Sequence, residues 1–99
     1  AVVEGKENGT YVGPTVIDRV TPNMSVATEE IFGPVISIMH TDTLDEAIAE
    51  SNRLPYGLAG YAYSQSVKTI HQLSQRVEVG MLWVNQPALP SPLFTWTLV

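Results

Sequence analysis

The sequence predicts an α/β fold, a three-layer βαβαβ arrangement built around a parallel sheet. Three short, mainly apolar stretches at residues 35–39, 58–63 and 81–85 alternate with two stretches whose apolar residues recur at helical spacing. Each connection between the apolar stretches is long enough to hold a helix. The strands should therefore be parallel, with right-handed crossovers.

The beginning of the chain is predicted to be mainly extended. Asn8-Gly9 is a strong turn dipeptide, and the β-branched residues at 15–17 favour a strand after it. Thr28-Glu29-Glu30 can open a single helical turn, which Gly33-Pro34 would end. The following run, Val35 to Met39, is apolar on both faces. Such a run is typical of a strand buried between two helical layers.

Both predicted helices begin at polar capping residues. Thr43 opens the sequence Thr-Leu-Asp-Glu, which has the form of a capping box, and residues 55–57 should end this helix. Ser66 is predicted to cap the second helix, which should end before Gly80. Gly60, in the strand between the helices, indicates close packing. The apolar helical positions are Leu44, Ala47 and Ile48 in the first helix and Val67, Ile70, Leu73 and Val77 in the second.

The carboxyl ends of parallel strands are where open α/β sheets bind their ligands. In this sequence those ends fall at residues 40–43, at residues 64–66 and from Asn85 onward. The segment that begins at Asn85 is the one in which we expect ligand contacts.

Composition and charge argue against several functions. Ten acidic and five basic side chains give 99 residues a net charge of −5, which disfavours nucleic-acid and membrane partners. No apolar run approaches the ~18–20 residues that cross a bilayer, and no secretory signal opens the chain, so we expect a cytoplasmic protein. The sequence has no cysteine, and His40 and His71 lie too far apart in the sequence to suggest a metal site.

One stretch suggests a particular chemistry. Residues 29–35, Glu-Glu-Ile-Phe-Gly-Pro-Val, place an acid and an aromatic residue two positions apart before a tight turn into the predicted strand. This stretch closely resembles a signature in the second half of aldehyde dehydrogenases. Residues 11–17, Asn52 with residues 56–59, and residues 80–85 agree with the same family in order and spacing, and the resemblance covers roughly residues 9–92.

The resemblance implies an NAD(P)-dependent enzyme that oxidises an aldehyde to a carboxylic acid. By the family pattern, Glu30 would accept hydrogen bonds from the nicotinamide ribose hydroxyls, and Phe32 would lie against the nicotinamide end of NAD or NADP. A carboxylate has two oxygens for a vicinal diol, and a flat ring restricts where the nicotinamide can lie. Asn85 would lie at the mouth of the aldehyde pocket, whereas Trp83 is expected in the core.

The resemblance also implies partners and a subtype. The partners would be a small-molecule aldehyde, the remainder of the parent enzyme and further copies in a homo-oligomer. Residues 83–88 look most similar to branches that include succinate-semialdehyde dehydrogenases.

Two departures from the family pattern limit what the chain can do by itself. Family members attack the aldehyde with a cysteine thiolate, which this sequence lacks. Residues 1–99 would then form a partial catalytic domain that has no catalytic residue of its own and is inactive alone. Residues 93–99 do not follow the family pattern.

Two other functions remain open from the sequence. One is a free-standing α/β interaction module without catalysis, and the other is a regulatory domain that binds a small metabolite at the carboxyl-end crevice. A small, incomplete core with exposed strand edges also predicts that the isolated chain is marginally stable or self-associates.

Overall fold

The computed structural model describes residues 1–86, which fall into two compact units. The first unit comprises residues 1–40, and the second begins at Thr41. Each unit contains a pair of parallel strands, so the predicted α/β class and parallel pairing are confirmed. Neither α-helix within residues 1–86 has the length and apolar character needed to span a bilayer.

The first unit is organised around strands β1 (Thr15–Ile17) and β2 (Val35–Ser37). They pair in parallel, with Val16 opposite Ile36. The ladder continues past both strands, since the backbone N–H of Val20 donates to the carbonyl of Ile38 at 3.0 Å. Val20 is 4% exposed and is the buried hydrophobic residue of this unit.

A single turn of 3₁₀ helix, Ser25–Ala27, lies between the two strands. We predicted that Thr28-Glu29-Glu30 would open a helical turn, but Thr28 instead closes the preceding one. Its backbone N–H donates to the carbonyl of Ser25 at 3.1 Å, and its hydroxyl donates to the same carbonyl at 3.3 Å. Thr side chains compete for nearby backbone groups in this way. Glu29 and Glu30 are therefore left outside the turn.

Strand β2 differs from the prediction in its partner and in its burial. The sequence suggested one sheet with strands at residues 35–39, 58–63 and 81–85, whereas β2 pairs with β1 and the other two strands form a second sheet. Ile36 is 63% exposed, so β2 is not enclosed by two layers. Residues 1–40 contain no α-helix that could lie on it. An apolar pattern shows that a strand can be buried between two layers, but it does not show that the same unit contains those layers.

The second unit runs α1 (Leu44–Ser51), β3 (Ala59–Ala62), α2 (Val67–Arg76) and β4 (Met81–Val84). The strands β3 and β4 are parallel, with Tyr61 opposite Trp83. Trp83 is 9% exposed, which confirms its expected place in the core, and Ile48 of α1 is buried with it.

Both helices are capped where the sequence predicted. The hydroxyl of Thr43 accepts from the N–H of Glu46 at 3.2 Å, and the hydroxyl of Ser66 accepts from the N–H of Thr69 at 3.2 Å. The capping box differs in one detail, because the Glu46 carboxylate accepts from the N–H of Asp42, at 3.0 Å, rather than from that of Thr43. Capping satisfies N–H groups that lack partners in the first helical turn.

Asn52 connects the end of α1 to the end of α2 and to the segment after it. Its Nδ2 donates to the carbonyl of Arg76 at 2.7 Å, and its Oδ1 accepts from the N–H of Glu78 at 2.9 Å. The guanidinium of Arg76 also lies 2.6 Å from Oδ1 of Asp45 in α1. The backbone of Gly57 approaches the same segment so closely that a Cβ there would lie 2.6 Å from the carbonyl oxygen of Glu78.

Candidate functional site

The loop at residues 29–34 is fixed at both ends and exposed between them. At one end, the N–H of Glu29 donates to the carbonyl of Ser25 at 2.9 Å. At the other end, the carbonyl of Pro34 accepts from the N–H of Thr15 at 2.8 Å, the first bond that joins the loop to β1. The backbones of residues 30–32 make no hydrogen bond with any part of residues 1–86. The loop therefore presents its side chains from a short segment with anchored ends.

Glu30 projects from this loop with its carboxylate uncommitted. The residue is exposed, and within residues 1–86 its side chain has no hydrogen-bond or ion-pair partner. The adjacent Glu29 is also exposed and its carboxylate also lacks a partner in that range. A carboxylate in this state can accept hydrogen bonds at both oxygens. Glu30 therefore has the chemistry needed to bind a diol.

Phe32 lies in a conformation that a bulky side chain rarely adopts. Its φ is +50°, in the left-handed region, and the residue is 93% exposed. A non-glycine residue in this region costs on the order of 1–3 kcal/mol, and such residues cluster at functional sites. Within residues 1–86 the side chain is not buried, so packing does not offset this cost. The conformation is consistent with a ring that contacts a ligand or a further part of the protein.

The loop enters β2 at its amino end. Because β1 and β2 are parallel, Glu30 and Phe32 lie at the opposite end of this strand pair from Asp18 and His40, which follow the carboxyl ends. The rule that ligands bind at carboxyl ends therefore does not point to Glu30 or Phe32. Their candidacy depends on their exposure, on the conformation of Phe32 and on the resemblance of the sequence around them.

Asp18 and His40 join the segments that leave the carboxyl ends of β1 and β2. Nε2 of His40 lies 2.6 Å from Oδ1 of Asp18, and the N–H of Arg19 donates to the same oxygen at 2.8 Å. The hydrogen bond from His40 and, after it, that from Arg19 lower the pKa of the Asp18 carboxyl below its ordinary value. Sequence reasoning placed His40 at a strand end but missed Asp18, although a polar residue directly after a predicted strand was the available signal.

Asn85 follows β4 and binds the chain where it leaves β3. Its Oδ1 accepts from the backbone N–H of Ser64, and its Nδ2 donates to the Ser64 carbonyl, both at 2.9 Å. Asn85 has φ +54°, which Asn tolerates better than most residues. Sequence reasoning identified both strand ends but did not predict this direct contact between them, since residue pairing across strands depends on the register.

The remaining candidates do not form a recognisable metal site. Within residues 1–86, no group of three or more His, Cys, Asp or Glu side chains is arranged to hold a metal ion. His71 is exposed on α2, outside the strand ends. The proline-rich segment after Gln86 and residues 93–99, which we predicted to depart from the family pattern, lie outside the described residues.

The comparison with known families identifies the chain. Residues 1–95 match the aldehyde dehydrogenase family, which covers nearly the whole sequence. The chain belongs to the aldehyde dehydrogenase family. The resemblance predicted from residues 29–35 and their flanks is therefore confirmed.

Individual aldehyde dehydrogenases agree with this assignment. The chain is 48% identical over 85 residues to the acylating, mitochondrial methylmalonate-semialdehyde/malonate-semialdehyde dehydrogenase of Bos taurus. Those residues are 86% of this chain and 16% of the bovine protein. The chain thus spans about a sixth of that relative's length.

Solved aldehyde dehydrogenase structures contain the same fold. An NAD-dependent aldehyde dehydrogenase from Sinorhizobium meliloti superimposes with a TM-score of 0.84 at 38% identity, over 90% of this chain and 18% of that one. The C291A mutant of aldehyde dehydrogenase C from Pseudomonas syringae, complexed with NAD+ and octanal, gives 0.81 at 37% identity, over 91% and 19%. The short parallel strands are thus a recognisable part of a larger aldehyde dehydrogenase fold.

Proposed function

We propose that these residues are part of an NAD(P)-dependent aldehyde dehydrogenase that oxidises an aldehyde to a carboxylic acid. When bound, NAD(P) supplies the hydride acceptor for this oxidation. The chain has no cysteine, so the nucleophile would come from another part of the enzyme, and residues 1–99 alone would be inactive. The P. syringae structure described above contains NAD+ and an aldehyde, which supports a cofactor and a substrate of these classes.

The observation that carries the proposal is the pair of exposed groups in the loop at residues 29–34. The Glu30 carboxylate has no partner within residues 1–86 and would accept hydrogen bonds from the nicotinamide ribose hydroxyls. The ring of Phe32, which is not a core aromatic, would restrict the nicotinamide end. Both residues fit a nicotinamide cofactor because each offers the chemistry that one part of it needs, namely hydrogen-bond acceptors and a flat apolar surface.

Asn85 is proposed to shape the mouth of the aldehyde pocket. It follows the carboxyl end of β4, where α/β sheets bind their ligands. Its two amide atoms bind the backbone of Ser64, and its proposed contribution comes through the course of the backbone that this contact holds.

The remainder of the parent enzyme is the proposed partner of the exposed apolar residues in the first unit. Val16 and Ile36 face each other across β1 and β2 and are 62% and 63% exposed. Paired apolar residues on one face of a sheet favour cover by another layer. The same observation also favours the alternative function, an interaction module without catalysis.

The test is expression of the complete reading frame that encodes these residues, followed by an aldehyde oxidation assay with NAD and with NADP. Malonate, methylmalonate and succinate semialdehydes form the first panel, because the bovine relative is named for the first two and the predicted subtype for the third. The bovine relative is described as acylating, so the product must be identified as a free acid or as an acylated acceptor. A reading frame that has no cysteine-bearing domain, with no activity on any aldehyde, would favour the interaction module.

The same preparation tests two further proposals. If the enzyme is a homo-oligomer, the molecular mass measured by sedimentation should be a multiple of the subunit mass. The cytoplasmic location is tested by cell fractionation, with particular interest because the bovine relative is described as mitochondrial.

A further inference from the structure

Asn85 is placed to control the backbone at the carboxyl ends of β3 and β4. Its two hydrogen bonds to Ser64, both 2.9 Å, use the N–H and the carbonyl of one residue, as a residue on an antiparallel neighbouring strand would. The N–H of Asn85 also donates to the carbonyl of Ala62 at 2.8 Å. Three hydrogen bonds therefore fix residue 85 to the chain that leaves β3.

The contact continues to the start of α2. The hydroxyl of Ser64 accepts from the N–H of Ser66 at 3.1 Å, and the hydroxyl of Ser66 caps α2 through the N–H of Thr69. Asn85, Ser64 and Ser66 thus connect the end of one strand, the end of its neighbour and the first turn of the intervening helix. The left-handed φ of Asn85 sets the direction in which the chain leaves β4.

Asn52 makes a contact of the same kind at the other end of the strand pair. It precedes β3, and it binds the carbonyl of Arg76 at the end of α2 and the N–H of Glu78 in the segment that leads to β4. Each asparagine donates to one backbone carbonyl and accepts from one backbone N–H. The chemistry is the same, but only Asn85 lies at the carboxyl ends, where ligands bind in sheets of this class.

We infer that Asn85 is a positioning residue for the aldehyde site, acting through its contact with Ser64 and not by touching the substrate. This inference rests on the proposed function. Both amide atoms bind the Ser64 backbone, which fixes the orientation of the side chain and leaves one N–H and one oxygen lone pair unused. Asn52, in contrast, stabilises the fold without affecting the substrate site.

The experiment compares two matched substitutions in the enzyme expressed from the complete reading frame. Asn85→Asp and Asn52→Asp each keep the acceptor oxygen and lose the donor to a backbone carbonyl. We expect both variants to lower Tm. Only Asn85→Asp should raise the KM for the aldehyde, by about tenfold with kcat little changed, because a shifted backbone beside the substrate weakens ground-state and transition-state binding together.

Asn85→Gly separates the hydrogen bonds from the backbone conformation, since glycine keeps a left-handed φ without an amide. It should raise the KM for the aldehyde as Asn85→Asp does. If Asn85→Asp does not fold, Asn85→Gly still tests the inference. Equal effects of the Asn85 and Asn52 variants on KM would overturn the inference, as would an unchanged KM in Asn85→Gly. If the wild-type enzyme oxidises no aldehyde, the proposed function fails and the inference fails with it. If the wild-type enzyme is active and Asn85→Asp leaves KM unchanged, only the inference fails.

Discussion

Nε2 of His40 lies 2.6 Å from Oδ1 of Asp18, which joins the segments that follow the carboxyl ends of β1 and β2. This hydrogen bond joins the two chain segments at the end of the strand pair, near the last backbone hydrogen bond between them, from Val20 to Ile38. It also makes the first unit sensitive to acid, since one partner is a carboxylate whose pKa is lowered in the folded protein.

We predict that Asp18→Asn lowers the free energy of unfolding at neutral pH. The difference in this free energy between the variant and wild type should become smaller as the pH is lowered. Because folding lowers the pKa of the Asp18 carboxyl, its contribution to stability is fully present above the pKa of the unfolded chain, 3.8. That contribution is lost as the pH falls through the lower pKa of the folded protein. Chemical denaturation at pH 7 and at a series of acidic pH values measures the effect. Asp42→Asn is the control, because within residues 1–86 the Asp42 carboxylate has no hydrogen-bond partner. A constant difference between wild type and Asp18→Asn at all pH values would contradict the prediction.

Glu30→Ala should weaken nicotinamide cofactor binding in the intact enzyme by roughly ten- to a hundredfold. Hydrogen bonds to a charged group contribute about 1.5–3 kcal/mol, and the substitution removes both acceptor oxygens. The measurement is the Kd for NAD and NADP by titration calorimetry, with the KM as a second readout. Glu29→Ala is a matched control, since Glu29 is also exposed and its carboxylate also lacks a partner within residues 1–86. Equal losses in the two variants would show that net charge, not Glu30, governs binding.

Phe32→Gly should make the protein more stable by about 1 kcal/mol while weakening cofactor binding. Relief of the left-handed strain, on the order of 1–3 kcal/mol, outweighs the entropic cost of glycine, about 0.5–1 kcal/mol. Phe32 is 93% exposed, so removal of its ring loses little buried surface. Phe32→Ala removes the ring but keeps the strain. Denaturation curves in which Phe32→Gly is no more stable than Phe32→Ala would contradict this account.

Gly57→Ala should destabilise the second unit by about 1–3 kcal/mol, the usual cost of overpacking. The new methyl carbon would lie 2.6 Å from the carbonyl oxygen of Glu78, a backbone atom that cannot move aside alone. Thermal unfolding measures the loss. Gly33→Ala is the control, because the nearest atom to its added carbon would be 3.7 Å away, at ordinary contact distance. Similar losses at the two positions would indicate that backbone entropy, not the close approach, is responsible.

Substituting Ile36 by Thr should reduce self-association of the isolated 99-residue chain, raising its dissociation constant by about tenfold. Thr keeps the β-branched shape and removes apolar surface from the exposed face that Ile36 shares with Val16. Sedimentation over a range of concentrations gives the result. Val67→Thr, at an exposed position on α2, is the control. If wild type remains a monomer at every concentration, the prediction of self-association is wrong.

Local chemistry made several features predictable. Thr43 and Ser66 cap their helices as expected, because a hydroxyl before an apolar helical pattern has few alternatives to the free N–H groups of the first turn. Gly60 lies against Leu82 and Val79, as a glycine within a strand suggested. Of the predicted site residues, Glu30 and Phe32 were indicated by a local motif, but the left-handed φ of Phe32 has no signature in composition or periodicity.

By itself the sequence determined the class of fold, the family and the two helices with their caps, since these depend on residue types and spacings within a short stretch of chain. Only the tertiary structure decided that β2 pairs with β1, that Asp18 meets His40 and that Asn85 binds the backbone of Ser64. These contacts join residues about twenty positions apart. The free energy of such pairing depends on the register of the strands and on which apolar surfaces become buried. Neither can be deduced from the residues of one segment alone.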